Sequence, residues 1–228
     1  MSAPARRTAR RIGVFGGTFD PIHVGHLRCA EEAREQLGLD QILFIPAADP
    51  PHKARRITAA AHRLAMVRLA TAGNPAFRVS AIEEERGGRS YTVDTLRALR
   101  GRLPDSARLT LLMGLDAFRE IDTWKEYRAL FALADLAVWS RPPGSPRAPR
   151  ALLPVAARPD FCYGPAQKTL RHRTGTHIRF LTVTALEVSA SAIRLRLQRG
   201  QSVRYLLSPA VERYATRHRL YTRRQGAS

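Results

Sequence analysis

Apolar residues in this chain gather into short unbroken runs separated by longer amphipathic stretches. Ile12–Phe15 is the first run. Gln41–Ile45 is the second, apolar at four of its five positions. Runs without the alternation of a half-wet strand suit parallel strands buried on both faces. Phe77–Ile82, Leu109–Met113, Leu136–Trp139 and Ile178–Val183 continue the series. Between them the spacing predicts helices over Leu27–Leu37, ending near Gly38, and from a Thr58 cap to about Ala72, with Leu64, Met66, Val67 and Leu69 among its apolar residues. Further helices are predicted over Thr92–Leu99, Trp124–Leu133, Ser191–Gln198 and Ala210–Arg219. Strands alternating with helices in this way predict an α/β fold: a doubly wound, Rossmann-like parallel sheet with helices on both faces, right-handed crossovers and one domain. Ligands of such sheets bind beyond the carboxyl ends of the strands.

The pattern fails over residues 141–175, where prolines stand at 142, 143, 146, 149, 154, 159 and 165. This segment is expected to be an irregular excursion from the sheet. Residues 1–10 hold arginines and small residues with nothing to bury, so they are expected to form a mobile basic tail. The domain is then 11–222, its closing helices lie within 189–222, and 223–228 is a short tail.

The 228 residues suffice for one sizeable core. The two cysteines, Cys29 and Cys162, lie far apart and have no partners at metal-ligand spacing, which suits a reducing cytoplasm and argues against zinc or a disulfide framework. The basic start leads straight into a strand-like run, with no signal-peptide core, and no apolar stretch approaches the ~18 residues of a membrane span. A formal charge of +19 favours contact with polyanions. Yet the arginines are dispersed, and no recognition helix, zinc finger or aromatic RNA platform is present, so no specific nucleic-acid partner is expected. The surplus would help to collect anionic substrates.

Chemistry enters with Gly16-Gly17-Thr18-Phe19-Asp20-Pro21-Ile22-His23-Val24-Gly25-His26. A glycine-rich turn between strand and helix aims backbone N–H groups and the positive helix end at one point, a seat for phosphate. His23 and His26 are three apart, so both rings can face that seat and donate N–H bonds to phosphate oxygens without a metal. Gly25 between them is expected to leave room for a ligand. The stretch fits neither a Walker loop nor the Gly-x-Gly-x-x-Gly fingerprint. It resembles the signature of the nucleotidylyltransferase superfamily, whose members attack the α-phosphate of a nucleoside triphosphate.

A second motif, Ser189-Ala190-Ser191-Ala192-Ile193-Arg194, places a capping serine and an arginine fork on one helical face. Alone it reads as a capped helix with an exposed arginine. Beside the first motif it resembles the superfamily's Ser-x-Ser/Thr-x-Ile-Arg element, which binds the β- and γ-phosphates of ATP. Three further segments narrow the family: Pro50-Pro51-His52-Lys53, with a loop cation; Ser90-Tyr91-Thr92, opening a helix whose N–H groups could hold a carboxylate; and Gly114-Leu115-Asp116 followed by Trp124-Lys125. Trp124 could stack on a pyridine ring, and Asp116 could accept hydrogen bonds from a ribose. Together these resemble the bacterial nicotinate mononucleotide adenylyltransferases, over about Ile12 to Tyr221.

The resemblance assigns ATP to Gly16, Gly17, Thr18, Phe19, His23, Gly25, His26, Ser189, Ser191, Ile193 and Arg194. Arg141, in the Ser140-Arg141-Pro142 turn, matches a family arginine near the nucleotide. It assigns nicotinate mononucleotide to Lys53, Ser90, Tyr91, Thr92, Asp116, Trp124 and Lys125. In that family the Ser-Tyr-Thr backbone and the residue after the tryptophan receive the nicotinate carboxylate. That residue is Lys125 here, where other members can carry tyrosine; a backbone contact would survive the change.

The implied reaction joins ATP and nicotinate mononucleotide into nicotinate adenine dinucleotide and pyrophosphate. The attacking phosphate oxygen is already ionised, so no general base is required, and positioning and charge stabilisation can suffice. His23 and His26 are expected to steady the transferred phosphoryl group, and Arg194 and Lys53 the leaving pyrophosphate. Mg²⁺ is expected on the ATP phosphates, with no protein metal site. The rivals are enzymes preferring nicotinamide mononucleotide or phosphopantetheine and, in another class, a basic nucleic-acid-associated protein. Phosphopantetheine enzymes tend to carry threonine where His23 stands and lack the Ser-Tyr-Thr and tryptophan segments. A class I aminoacyl-tRNA synthetase would add a lysine-rich signature and a tRNA-binding domain, both missing here. Assembly into a homo-oligomer stays open.

Overall fold

Buried runs become strands because each carries apolar side chains to two opposite faces at once. In the computed structural model, which describes residues 10–51, 57–140, 148–164, 169–184 and 186–222, they are β1 (Arg11–Gly17), β2 (Gln41–Pro46), β3 (Phe77–Val79), β4 (Arg108–Gly114), β5 (Asp135–Ser140), β6 (Phe161–Tyr163), β7 (Thr169–His172) and β8 (His177–Thr182). The expectations for residues 1–9, 223–228, Lys53 and Arg141 lie outside the described residues. The strands form one sheet in the order β3-β2-β1-β4-β5-β8-β7-β6. Its first six members are parallel, with register pairs such as Val14 with Leu43 and Val14 with Leu111.

Helices α1 (Val24–Leu37), α2 (Ala60–Thr71), α3 (Ile82–Arg86), α4 (Thr92–Arg102), α5 (Leu115–Arg119), α6 (Tyr127–Leu133), α7 (Ala190–Gln198) and α8 (Pro209–Arg217) cover both faces. Alternation along the strands sorts the core. Ile12, Val14, Leu111, Met113 and Val138 pack with Val93 and Leu96 of α4, Phe118 of α5 and Leu130 of α6. Phe15, Phe44, Leu112 and Ala137 point the other way, against Ala30 of α1, Met66 of α2, Ile193 of α7 and Val211 of α8. Each large side chain so buried contributes about 1.5–3 kcal/mol before its entropic cost. β2 lies on one side of β1 and β4 on the other, so the winding reverses there. A crevice opens beyond the carboxyl ends of β1 and β4 at that reversal.

The structure corrects several boundaries. The sheet is mixed: β7 is antiparallel to β8, and β6 to β7. The link from His172 to His177 is far too short for a parallel crossover, so the segment expected to be irregular supplies the last two strands at one end of the sheet. The third strand ends at Val79, not Ile82. Ser80 Oγ accepts the Ile82 N–H (3.2 Å), and Ile82 opens α3 with three glutamates in its first turn. Thr58 does not cap α2; the N-cap is Ala59, without a side-chain bond, and both backbone groups of Thr58 are engaged elsewhere. The helix predicted from Trp124 starts at Tyr127, because Glu126 adopts a left-handed φ of 48° while Arg97 grips both its carboxylate oxygens (3.1 and 2.5 Å). α1 begins at Val24, three residues before the predicted start, which makes His23 its N-cap.

Candidate active site

The glycine-rich motif runs off β1 into the N-terminus of α1. His23, extended at φ −141° and only 7% exposed, is the N-cap. The His26 ring stacks on it at 3.7 Å between centroids and 27° between planes. Phe19 meets His26 edge-on at 5.2 Å. Burial first, and the neighbouring His23 ring second, hold His26 well below the usual imidazole range, so at neutral pH it carries no charge. Its Nδ1 accepts the His23 backbone N–H at 3.2 Å. An accepting Nδ1 has no proton, so the ring proton sits on Nε2, and the network fixes His26 as an Nε2–H donor.

Gly25 serves this pair more than it serves a ligand. A Cβ there would stand 3.1 Å from His23 Nδ1 and 3.2 Å from Cε1, so the glycine makes room for the His23 ring. Gly16 is the position where a side chain would meet open space. Gly17 is covered by the Phe19 ring, 2.9 Å from where its Cβ would be.

The second motif arrives from the far end of the chain. Ser189 caps α7, its Oγ accepting the Ala192 N–H at 3.1 Å and lying 3.2 Å from Ser191 Oγ. Ile193 is fully buried and pins α7 to the core, so its side chain takes no part in the site. One turn into the helix, Arg194 is 8% exposed, and its Nη1 donates to the Asp20 carbonyl. Thr18, Phe19, Asp20, His26, Ser191 and Arg194 thus line one cavity of about 260 Å³. Its single acidic side chain, Asp20, already accepts from Tyr221 Oη (2.7 Å) and the Thr58 N–H (3.5 Å). Donors and a cation dominate this cavity, the balance an anion needs.

On the other side of Thr18 lies a cleft of about 300 Å³, whose walls include Gly16, Gly17, Ser90, Tyr91, Thr92, Trp124 and Lys125. Tyr91 is the N-cap of α4 and supplies no side-chain cap, so the first N–H groups of that helix face the cleft without that partner. Lys125 Nζ reaches Asp94 (2.9 Å) and lies 4.9 Å from the Tyr91 ring centroid, setting a positive charge against the acidic residue in the first turn of α4. Thr18 lines both spaces, so the two abut on the glycine-rich loop. Among the described residues no group of three or more His, Cys, Asp or Glu is disposed to hold a metal ion.

A family model described as cytidylyltransferase-like matches residues 14–196, a span that includes both motifs. The chain belongs to that cytidylyltransferase-like family. Relatives named probable nicotinate-nucleotide adenylyltransferase, from Citrifermentans bemidjiense and Geobacter sulfurreducens, are 50% and 47% identical to it over 212 residues, 92% of this chain and 98% of each relative. The solved nicotinic acid mononucleotide adenylyltransferase of Plasmodium falciparum, complexed with NaAD, superposes with a TM-score of 0.68 at 15% identity, covering 93% of this chain and 97% of its own. At that identity the likeness is one of fold.

Within this cytidylyltransferase-like fold the predicted residues divide. His26, Ser191 and Arg194 converge on one cavity, with His23 stacked against His26, although Ser191 and Arg194 lie more than 160 positions from the histidines. Ser90, Tyr91, Thr92, Trp124 and Lys125 converge in the adjoining cleft. Asp116 does not: it points to solvent, its side chain fully exposed and 3.8 Å from Arg119, while the next residue, Ala117, turns toward the cleft. Sequence reasoning passed over Asp20, Tyr221 and Arg63. Arg63 left a signal, because it sits three and four positions before Met66 and Val67 on the buried face of α2.

Proposed function

We propose that the protein transfers the adenylyl group of ATP to nicotinate mononucleotide, yielding nicotinate adenine dinucleotide and pyrophosphate. The observation that carries this reading is the pair of cavities sharing Thr18: one lined by donors and a guanidinium, the other by a tryptophan and a helix N-terminus. A reaction joining two nucleotides by attack of one phosphate on the phosphorus of the other needs two such seats side by side.

In this reading the triphosphate lies along His26, Ser191 and Arg194. The mononucleotide phosphate attacks the α-phosphorus in line, and pyrophosphate leaves toward Arg194. The nucleophile is ionised at neutral pH, so no residue need remove a proton. The Nε2–H of His26 faces oxygens whose negative charge grows in the transition state, and His23 supports the same group. A neutral, fixed donor suits this task because it neither loses nor gains a proton during transfer. The pyridine ring stacks on Trp124 and its carboxylate meets the N-terminus of α4. A helix N-terminus favours a carboxylate over a neutral amide, which supports nicotinate over nicotinamide. Asp116, just beyond the end of β4 and open to solvent, is left to accept hydrogen bonds from a ribose. Mg²⁺ enters as part of the nucleotide substrate, since the residues of the triphosphate seat are donors suited to phosphate oxygens rather than metal ligands. A cytoplasmic location accompanies this reading.

The test is pyrophosphate release with ATP and, at equal concentrations, nicotinate mononucleotide, its amide analogue or phosphopantetheine. Release strictly dependent on nicotinate mononucleotide is expected. Equal or better use of the amide overturns the substrate assignment, and salt-sensitive retention on DNA with no release overturns the enzyme.

A further inference from the structure

Arg63 is the largest fully buried side chain in the described protein, 1% exposed in the first turn of α2. Each arm of its guanidinium donates to a backbone carbonyl from a different segment. Nη1 reaches Thr18 O at 2.8 Å, Nη2 reaches Ala48 O at 3.0 Å, and Nε reaches Thr58 O at 2.8 Å. None of these acceptors is a carboxylate. Burial works against the charge, and the nearby carboxylate of Asp20 is the foremost group offsetting it. A buried cation satisfied only by carbonyls is a costly way to hold three loops. Apolar packing at this point of α2 could fill the volume but could not fix three carbonyls in one plane.

What the three segments carry explains the expense. Thr18 belongs to the glycine-rich loop and lines both cavities. Ala48 is followed by Asp49, whose N–H donates to Ser90 Oγ (3.0 Å) and whose carbonyl accepts the Ser90 N–H (2.9 Å), tying that loop to the mouth of α4. Ala47, one residue earlier, donates its N–H to Gly17 O at 2.8 Å. Thr58 in turn donates to Asp20, whose carbonyl receives Arg194. The guanidinium is therefore a hub with one path to the donor-lined cavity and another to the α4 cleft.

We propose that Arg63 is a positioning residue that sets the distance and angle between the two substrate seats, without touching either substrate. This rests on the adenylyl-transfer reading. Its consequence is specific. A residue that shapes one seat alters the affinity of one ligand, whereas a residue that fixes two seats relative to one another acts where both ligands must be engaged at once. The signature is loss of affinity for the joined dinucleotide, which gains from a matched pair of seats as any linked bivalent ligand does. In turnover the signature is a fall in kcat with each KM little changed, because a misaligned in-line attack is slowed after binding.

Calorimetric titration of wild type, Arg63→Lys and Ser90→Ala with MgATP, nicotinate mononucleotide and nicotinate adenine dinucleotide, each alone, tests this, alongside kcat and KM. Arg63→Lys keeps the charge but cannot hold three coplanar carbonyls. It is expected to bind each substrate within about threefold of wild type, to weaken the dinucleotide at least tenfold, and to lower kcat at least tenfold. Ser90→Ala cuts the outer link at the surface. It is expected to weaken the dinucleotide more than the mononucleotide, and it decides the matter should Arg63→Lys not fold. Equal weakening of all three ligands, or an unchanged kcat in a folded variant, overturns the inference alone. Wild-type protein that binds none of the three overturns the functional reading, and the inference with it.

Discussion

His26 offers the sharpest perturbation, because its two ring nitrogens do different things. Nδ1 accepts the His23 backbone N–H and so closes the N-terminus of α1, while Nε2–H is the donor assigned to the transferred phosphoryl group. Asparagine and glutamine separate the two. His26→Asn places its amide oxygen close to the position of Nδ1 but stops short of Nε2. His26→Gln extends an amide N–H toward Nε2 and gives up the Nδ1 position. Removing one positioned donor from such a site costs about 2.7–4 kcal/mol of transition-state stabilisation, roughly 10²–10³ in kcat. Losing a cap-like hydrogen bond costs about 1 kcal/mol of stability. His26→Asn should therefore lose about 10²–10³ in kcat with little change in Tm. His26→Gln should keep more activity and melt several degrees lower. Steady-state pyrophosphate release at saturating substrates, paired with thermal unfolding, reads both quantities. A His26→Asn variant within a few-fold of wild-type kcat would refute the donor assignment. If both variants lose activity and stability in step, the separation of the two nitrogens fails.

Two further outcomes follow from the same geometry. Gly25→Ala places a methyl 3.1 Å from His23 Nδ1, so kcat should fall about tenfold as the ring pair shifts, while circular dichroism and Tm stay near wild type; unchanged kcat refutes the role given to Gly25. Burial depresses the folded-state pKa of both His26 and His172. Below about pH 6.5 the unfolded chain then takes up protons that the folded chain refuses, and stability falls by up to about 1.4 kcal/mol per pH unit per histidine until each folded pKa is passed. Urea unfolding between pH 5 and 8 should show this slope, and His26→Gln should reduce it; a slope indifferent to the substitution removes His26 from the account.

Some of this molecule can be read from residues and some cannot, and the division has physical causes. The six parallel strands are legible because burial on both faces leaves continuous apolar runs such as Ile12–Phe15 and Gln41–Ile45. The glycine-rich turn with His23 and His26, and the Ser189–Arg194 helix start, are legible because tight turns and helix capping impose local spacings. β6 and β7 are not, since strands of three and four residues among prolines leave no period to detect. The kink before α6 is hidden too, because a left-handed Glu126 is held by Arg97, 29 residues away. The orientation of Asp116 is hidden as well: the sequence places it at the end of β4, but only the start of α5 decides that its side chain is open to solvent while Ala117 lines the cleft.

The basic character of the chain and the chemistry of the site draw on different arginines. Most arginines and lysines among the described residues are exposed, where they can raise the local concentration of anionic substrates but are screened within about 10 Å at ordinary ionic strength. Arg63 and Arg194 are buried and donate to backbone carbonyls, so each acts as a rigid strut as well as a charge. His26, against the trend, is held neutral so that its proton stays on one known atom. A reaction whose nucleophile needs no activation gains nothing from a titrating base, and it depends on donors that do not move. Long-range attraction assigned to the surface and fixed geometry assigned to buried, carbonyl-tied groups is the division of labour such a reaction requires.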